Sequence, residues 1–484
     1  MRRAIALLPL VLMASITPVA RADIGDGTGA ISTGEPTQIE EVLGSLGLDP
    51  ADAVVQRGLR NYAGPLCPGA GWSCTDGSGV VVQVASSHDG GDDQGANVFV
   101  CSPAGPGTDP STNTCVIVQL NEQGSNRAIC REHDEAPNGL VQQTCSITQN
   151  NSTGPNVAVV NQSVVMSSTD GTQRSEQTSE IAQTNGSGSN EAVVVQRSTL
   201  SARTRGDDGT AFQMQDAIQS SSVVQETGVG LDLGATAGNN RADLVQTHRL
   251  GARAQEAATA EQLQNSSNPT GQTACFYNPN GCALFEQSST NGRLLIHSLQ
   301  TLRHDVEAGE IEGEVFQQQG SNPETGGLAA IFHQDSAGVA RRVTAQDERQ
   351  TADAGDTGPV TQLQFTGQGP KKNSNQQFHP DNFLFGGQTV VQQASDPTFQ
   401  QATLDAEAGF ISGEGTFRQV ARQNDATEQQ TVTGGPGFIF ARIDCIQGEP
   451  PEDGEDGGEI GISQEEEDPC VATSETFPGE GGGD

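Results

Sequence analysis

The amino-acid sequence predicts an all-β chain: a repeat-built β-solenoid or β-helix-like first half, a second β region and a disordered acidic tail. Three observations carry this. A Gln, turn, Asn-x-Ala pattern recurs as Gln119, Asn126, Ala128, then Gln149, Asn156, Ala158, Gln162, then Gln183, Asn190, Ala192, Gln196. The segments on either side of each turn alternate β-branched with polar residues, which is strand periodicity. Hydrophobic content is 33% and aromatic content 4%, with 60 Gly, too lean for a large packed α/β core.

The repeat itself says how the copies must be arranged. With a period of two, Cys145, Ile147 and Gln149 share one strand face, as do Asn156, Ala158, Val160 and Gln162. That face is the core face, yet it carries amides, and a buried amide costs free energy unless it is hydrogen-bonded. An identical amide one strand away, at about 4.8 Å, satisfies it most cheaply. Copies are therefore expected to stack, with Gln119, Asn126, Gln149, Asn156, Gln162, Gln183, Asn190, Gln196, Asn240 and Gln246 in ladders. Looser copies lie on each side, at Gln83, Asn97, Phe99, Cys101 and at Gln225, Asn240, Ala242, Gln246.

These residues, with Gly124, Gly154 and Gly188 in the turns, resemble the curlin repeat. The resemblance covers roughly residues 80–246 and implies strand–turn–strand rungs of a β-solenoid. The Gln-to-Asn spacing is longer here, and successive Asn positions from Asn97 lie 29, 30, 34 and 50 residues apart.

Around this region the chain divides further. Residues 1–22 read as a signal peptide, with Arg2 and Arg3 before the apolar run Ala4 to Ile16 and small residues at Ala20 and Ala22. Residues 23–79 form an N-terminal segment with a short helix around Ile39 to Leu46, a helical turn over Ala51 to Val55, and a Cys67/Cys74 loop enclosing Trp72. The Gln/Asn-x-Ala region spans 80–290, with Val80 to Val84 opening its first strand. A second β region spans 291–447. It duplicates one motif, Asp305 to Glu314 and Asp405 to Glu414, each copy read as two strands joined near Gly309 or Gly409. Residues 448–484 are acidic, Gly- and Pro-rich and free of Lys and Arg, the composition of a disordered tail.

Ten Cys in a chain with an export signal point to disulfides. The candidates are Cys67, Cys74, Cys101, Cys115, Cys130, Cys145, Cys275, Cys282, Cys445 and Cys470. Cys101 and Cys130 each lie four residues after a ladder Asn, and Cys115 and Cys145 each lie four before a ladder Gln, so all four face the core at neighbouring strand ends. That spacing predicts Cys101–Cys115 and Cys130–Cys145 pairs. Zinc-like spacing is lacking, and no metal, cofactor or catalytic residue is expected.

The net charge of −37 repels nucleic acid and anionic membranes, and no later stretch reads as a membrane span. Asp305, Glu307 and Glu314 read as a solvated, alternating strand rather than as calcium ligands or acid/base groups. The expected function is that of an exported, non-enzymatic structural or adhesive repeat protein, secreted or on the cell surface. Its expected partners are copies of itself or cell-surface and matrix components. The alternatives are a carbohydrate-active parallel β-helix enzyme and a largely disordered acidic matrix protein.

Overall fold

A computed structural model describes the strands and short turns between residues 53 and 476, with side chains described chiefly from 53 to 251. The described residues contain no helix and form two parallel sheets. The chain enters through β1 (Ala53–Gly58), β2 (Arg60–Ala63) and β3 (Ser73–Thr75). It then alternates between the sheets in rungs: β4 (Gly79–Ala85) with β5 (Gly95–Cys101), β6 (Ser111–Asn121) with β7 (Gly124–Ala136), and β8 (Gly139–Asn151) with β9 (Asn156–Ser168). Two longer rungs follow, β10 (Gly171–Asn185) with β11 (Asn190–Arg205) and β12 (Thr210–Thr227) with β13 (Asn240–Gln255). From β4 to β11 each strand pairs in parallel with the strand two elements on, as Asn126↔Asn156 and Gln149↔Gln183 show. The fold is thus a two-sheet β-solenoid in this region.

The same two sheets run on through the second half. β14 (Thr259–Ser267) and β15 (Phe285–Ser289) share one row beside β12, and β16 (Leu294–Ala308) follows β13. β17 (Val315–Gln319), β18 (Leu328–Ser336), β19 (Ala340–Asp353), β20 (Val360–Pro370) and β21 (Phe383–Ala394) continue the alternation. β22 (Pro397–Ala408), β23 (Glu414–Gln423), β24 (Thr427–Gly434), β25 (Phe438–Gln447) and β26 (Cys470–Thr476) end it. The even-numbered strands other than β2 and β16, with β1, β15 and β17, make a 14-stranded sheet, and the others a 12-stranded one.

Four expectations change. Val80 to Val84 lies in β4, not in the first strand, and Ala53–Gly58 is β1 rather than a helical turn. The reason is Gln56, which pairs in register with Gln83 and joins its amide row, while Val54 and Val55 favour an extended backbone. The helix read around Ile39 to Leu46 lies outside the described residues, as do Trp72 and the signal segment. The duplicated Asp305 and Asp405 motifs do end strands, at Ala308 and Ala408, but at opposite corners: β16 to β17 crosses from the 12- to the 14-stranded sheet, and β22 to β23 crosses back. Within the tail, Cys470–Thr476 forms β26 and pairs with β24.

Turns set the rung spacing. Asn121, Asn151 and Asn185 stack in one row, and each donates to the glycine carbonyl of the preceding rung, at Gly95, Gly124 and Gly154. The Oδ1 of Asn151 and of Asn185 also accepts the N–H of its own turn glycine, Gly154 and Gly188. Gly154 stacks so closely on Gly124 that a Cβ there would collide with the Gly124 carbonyl oxygen. Gly124 itself has φ +127°, a conformation open to glycine.

Candidate functional site

The interior is built from amide rows rather than from hydrocarbon alone. Gln83 donates to Gln56, Gln119 to Gln83, Gln149 to Gln119, Gln183 to Gln149 and Gln225 to Gln183, at 2.7–2.9 Å. Each of these amides spends its second N–H across the core. Gln149 reaches the Val157 carbonyl and Gln183 the Glu191 carbonyl. The facing sheet does the same with Asn. Asn61 donates to Asn97, and the row continues through Asn126, Asn156, Asn190 and Asn240 at 2.9–3.0 Å. Their cross-core donations go to carbonyls such as those of Leu120, Asn150 and Thr184.

The two rows have opposite polarity. Every Gln donates toward the N-terminal end of the stack and every Asn toward the C-terminal end. Aligned amides polarise one another along a row, and antiparallel rows cancel the resulting dipoles. Ala128, Ala158, Ala192 and Ala242, all fully buried, leave room for the amides of each rung to cross.

A second set of Gln rows sits further along the rungs. Gln246 donates to Gln196, Gln196 to Gln162, and Gln162 to the Glu132 carboxyl at 2.7 Å. In parallel, Gln219 donates to Gln177, Gln177 to Gln143, and Gln143 to Asp134 at 2.6 Å. Both rows therefore end on a buried acid of β7. The logic is donor counting: a row of amides that all point one way leaves an N–H over at its leading end, and a carboxyl offers acceptors there. Asp134 is further satisfied by Asn113, whose Nδ2 reaches both its oxygens at 2.8 and 2.7 Å. Glu132 is not: its Oε1 is buried without a hydrogen-bond partner. Burial and the nearby Asp134 push the Glu132 carboxyl up to about 8, against the lowering effect of the Gln162 bond.

Beside Glu132 stands the cysteine cluster. Cys101 and Cys130 are in-register partners in one sheet, and Cys115 and Cys145 in the other. Cys101 and Cys115 form a disulfide across the core, and Cys67 is joined to Cys74. Cys130 and Cys145 stand one rung on in the same cross-core arrangement, but as free, buried thiols in hydrogen-bond contact. This differs from the expected Cys130–Cys145 bond. Spacing alone placed the two side chains on the core face, whereas oxidation state depends on chemistry that spacing does not carry. Burial raises both thiols well above their ordinary range, or above it. The Sγ atoms of Cys115 and Cys130 and a Glu132 oxygen lie within 4.8 Å of one another. Cys275 and Cys282 lie outside the described residues, and Cys445 and Cys470 fall on β25 and β26.

Sequence reading named the Gln and Asn of the rows, and the structure brings them together by register. It did not single out Gln56 and Asn61, which open the two rows, nor Gln143, Gln173, Gln177, Gln215 and Gln219, nor the two acids that end rows. Gln143, Gln177 and Gln219 stand six residues before Gln149, Gln183 and Gln225, an even spacing on one face, and that signal was readable.

Charge is divided between the sheets. Arg57 and Arg174 are the only Lys or Arg in the strands of the 14-stranded sheet. The other sheet carries Arg127, Arg131, Arg197, Arg241, Arg249 and Arg303 among others. Among the described residues no helix is long and apolar enough to cross a membrane. No family model, curated protein or solved structure matches the chain.

Proposed function

We propose that the chain is an exported, non-enzymatic structural or adhesive protein of the cell exterior, built on a curlin-like Gln/Asn repeat. The observation that carries this reading is the continuous in-register stack, from Gln56 to Gln225 in one sheet and from Asn61 to Asn240 in the other. Side chains that would serve chemistry elsewhere are spent here on joining rungs. A stack of 12 strands at about 4.8 Å per strand is a rod roughly 50 Å long, a shape suited to spacing and contact. The Cys67–Cys74 and Cys101–Cys115 bonds fit an oxidising compartment. The uneven charge of the two sheets supports contact through one broad face with anionic surface or matrix polymers, or with the acidic sheet of another copy.

Fractionation of producing cells followed by N-terminal sequencing tests the export half of the proposal. The protein is expected outside the cytoplasm, beginning after Ala22. Recovery in the cytoplasm with residues 1–22 attached would reject it. Loss of cell-to-surface attachment on deleting the gene tests the adhesive half. Sedimentation and thioflavin fluorescence on the mature chain and on residues 80–246 then separate a capped monomer from a fibre subunit. Self-association of the fragment alone, in high salt that screens the charge, is expected.

A further inference from the structure

We infer that Asn138 is a site of spontaneous covalent modification, where the chain converts its own amide to aspartate and isoaspartate with water as the only co-reactant. This does not depend on the role proposed above.

The fold treats two Asn-Gly pairs in opposite ways, Asn138-Gly139 and Asn185-Gly186. A glycine after asparagine carries no Cβ to shield its backbone nitrogen, so that nitrogen can reach the asparagine amide carbon. The glycine nitrogen loses its proton and bonds to the asparagine Cγ. The Cγ–Nδ2 bond breaks, ammonia leaves and a succinimide ring closes. Water then opens the ring at either carbonyl. Cutting the bond to Cγ gives aspartate, and cutting the bond to the main-chain carbonyl carbon gives isoaspartate. Both products carry a carboxylate in place of a neutral amide.

Asn138 meets every requirement of this step. It lies in the two-residue turn Pro137-Asn138 between β7 and β8, and it is exposed. Among the described residues its amide has no hydrogen-bond partner. β8 begins at Gly139, whose φ of +90° is one that L side chains rarely adopt. The turn thus demands glycine where glycine is also the least hindered nucleophile.

Asn185 is the same dipeptide, locked. Its side chain is fully buried. Its Nδ2 donates to the Gly154 carbonyl at 2.6 Å, and its Oδ1 accepts the Gly188 N–H at 2.8 Å. The attacking group is held as well, since the Gly186 N–H donates to the Asn151 carbonyl at 3.1 Å. Ring closure here must break all of these bonds, so Asn185 reacts only from a locally opened state. Asn280-Gly281 and Asn291-Gly292 lie outside the described residues.

Modification of Asn138 adds a negative charge to a chain whose net charge is already −37. Isoaspartate also lengthens the main chain between β7 and β8 by a methylene, beside the Pro137 carbonyl that accepts from Gln173 Nε2 at 3.2 Å.

The test incubates the full mature chain at mildly alkaline pH, native and in urea. Each Asn-Gly peptide is followed by mass and by enzymatic methylation of the α-carboxyl that isoaspartate exposes. In the native chain Asn138 is expected to react roughly a hundredfold faster than Asn185, which must first break its hydrogen bonds. In urea the two sites should react at similar rates. Asn138→Gln changes an exposed turn side chain and should silence its peptide, because ring closure from the longer side chain is slower. Comparable native rates at the two sites overturn the proposal, as does a difference between them that survives in urea. So does an Asn138 peptide that keeps its amide in the native chain while losing it in urea, or a signal that persists in the Asn138→Gln peptide.

Discussion

Gln162 donates its Nε2 to Oε2 of Glu132 at 2.7 Å, so the amide row that runs back from Gln246 ends on a buried carboxyl. The folded state holds this proton more tightly than an unfolded chain does. The folded pKa, about 8, lies above the unfolded value of 4.5. The sign follows: between these values the folded protein binds more protons, so stability is full below about pH 4.5 and falls as pH rises through 8.

Glu132→Gln should remove that dependence. A glutamine there extends the row by one rung and can direct its second N–H across the core, as Gln162 does to the Thr178 carbonyl. At pH 8 the variant should be more stable by about 1–3 kcal/mol. At pH 4.5 the two proteins should nearly coincide. Urea midpoints across this range measure it, and parallel curves would show that Glu132 is already solvated.

Asn156→Leu strikes the middle of the Asn row. Asn156 accepts from Asn126 and donates to Asn190 and to the Thr184 carbonyl. Leucine strands all three partners in a dry core, at an expected cost of about 2–5 kcal/mol. An unmoved denaturation midpoint would contradict the buried row.

Gly154→Ala places a methyl against the Gly124 carbonyl and forces two turns apart. The expected loss is about 1–3 kcal/mol, as for other overpacked sites. Gly251→Ala is the control, since a Cβ there meets nothing within 4 Å. Equal effects from the two substitutions would mean the turn column is not close-packed.

Replacing Cys101 and Cys115 together by alanine should cost about 3 kcal/mol, the value for closing a loop of this length, with 14 residues of sequence separation. In the native protein, Cys130 and Cys145 should resist alkylation at pH 8 and react only on unfolding, because both are buried and raised in pKa. Rapid labelling of the folded chain would place them at the surface.

The amide rows were legible in the sequence because of a strict physical demand. A buried amide needs a partner, and in a parallel stack the cheapest partner is the same residue one rung away. Gln149, Asn156, Gln183 and Asn190 therefore repeat at one offset and announce their own register. The same alternation placed Cys101, Cys115, Cys130 and Cys145 on the core face. It could not say which residues end a row. Glu132 and Asp134 alternate along β7 as solvated acids would, and only the stacking of β7 on β9 and beside β8 buries them against Gln162 and Gln143. Tertiary structure likewise decided that Gln119 and Gln162 belong to different rows in different sheets, and that the duplicated Asp305 and Asp405 motifs turn opposite corners. A motif encodes a local bend. Which sheet the chain bends toward depends on every rung before it.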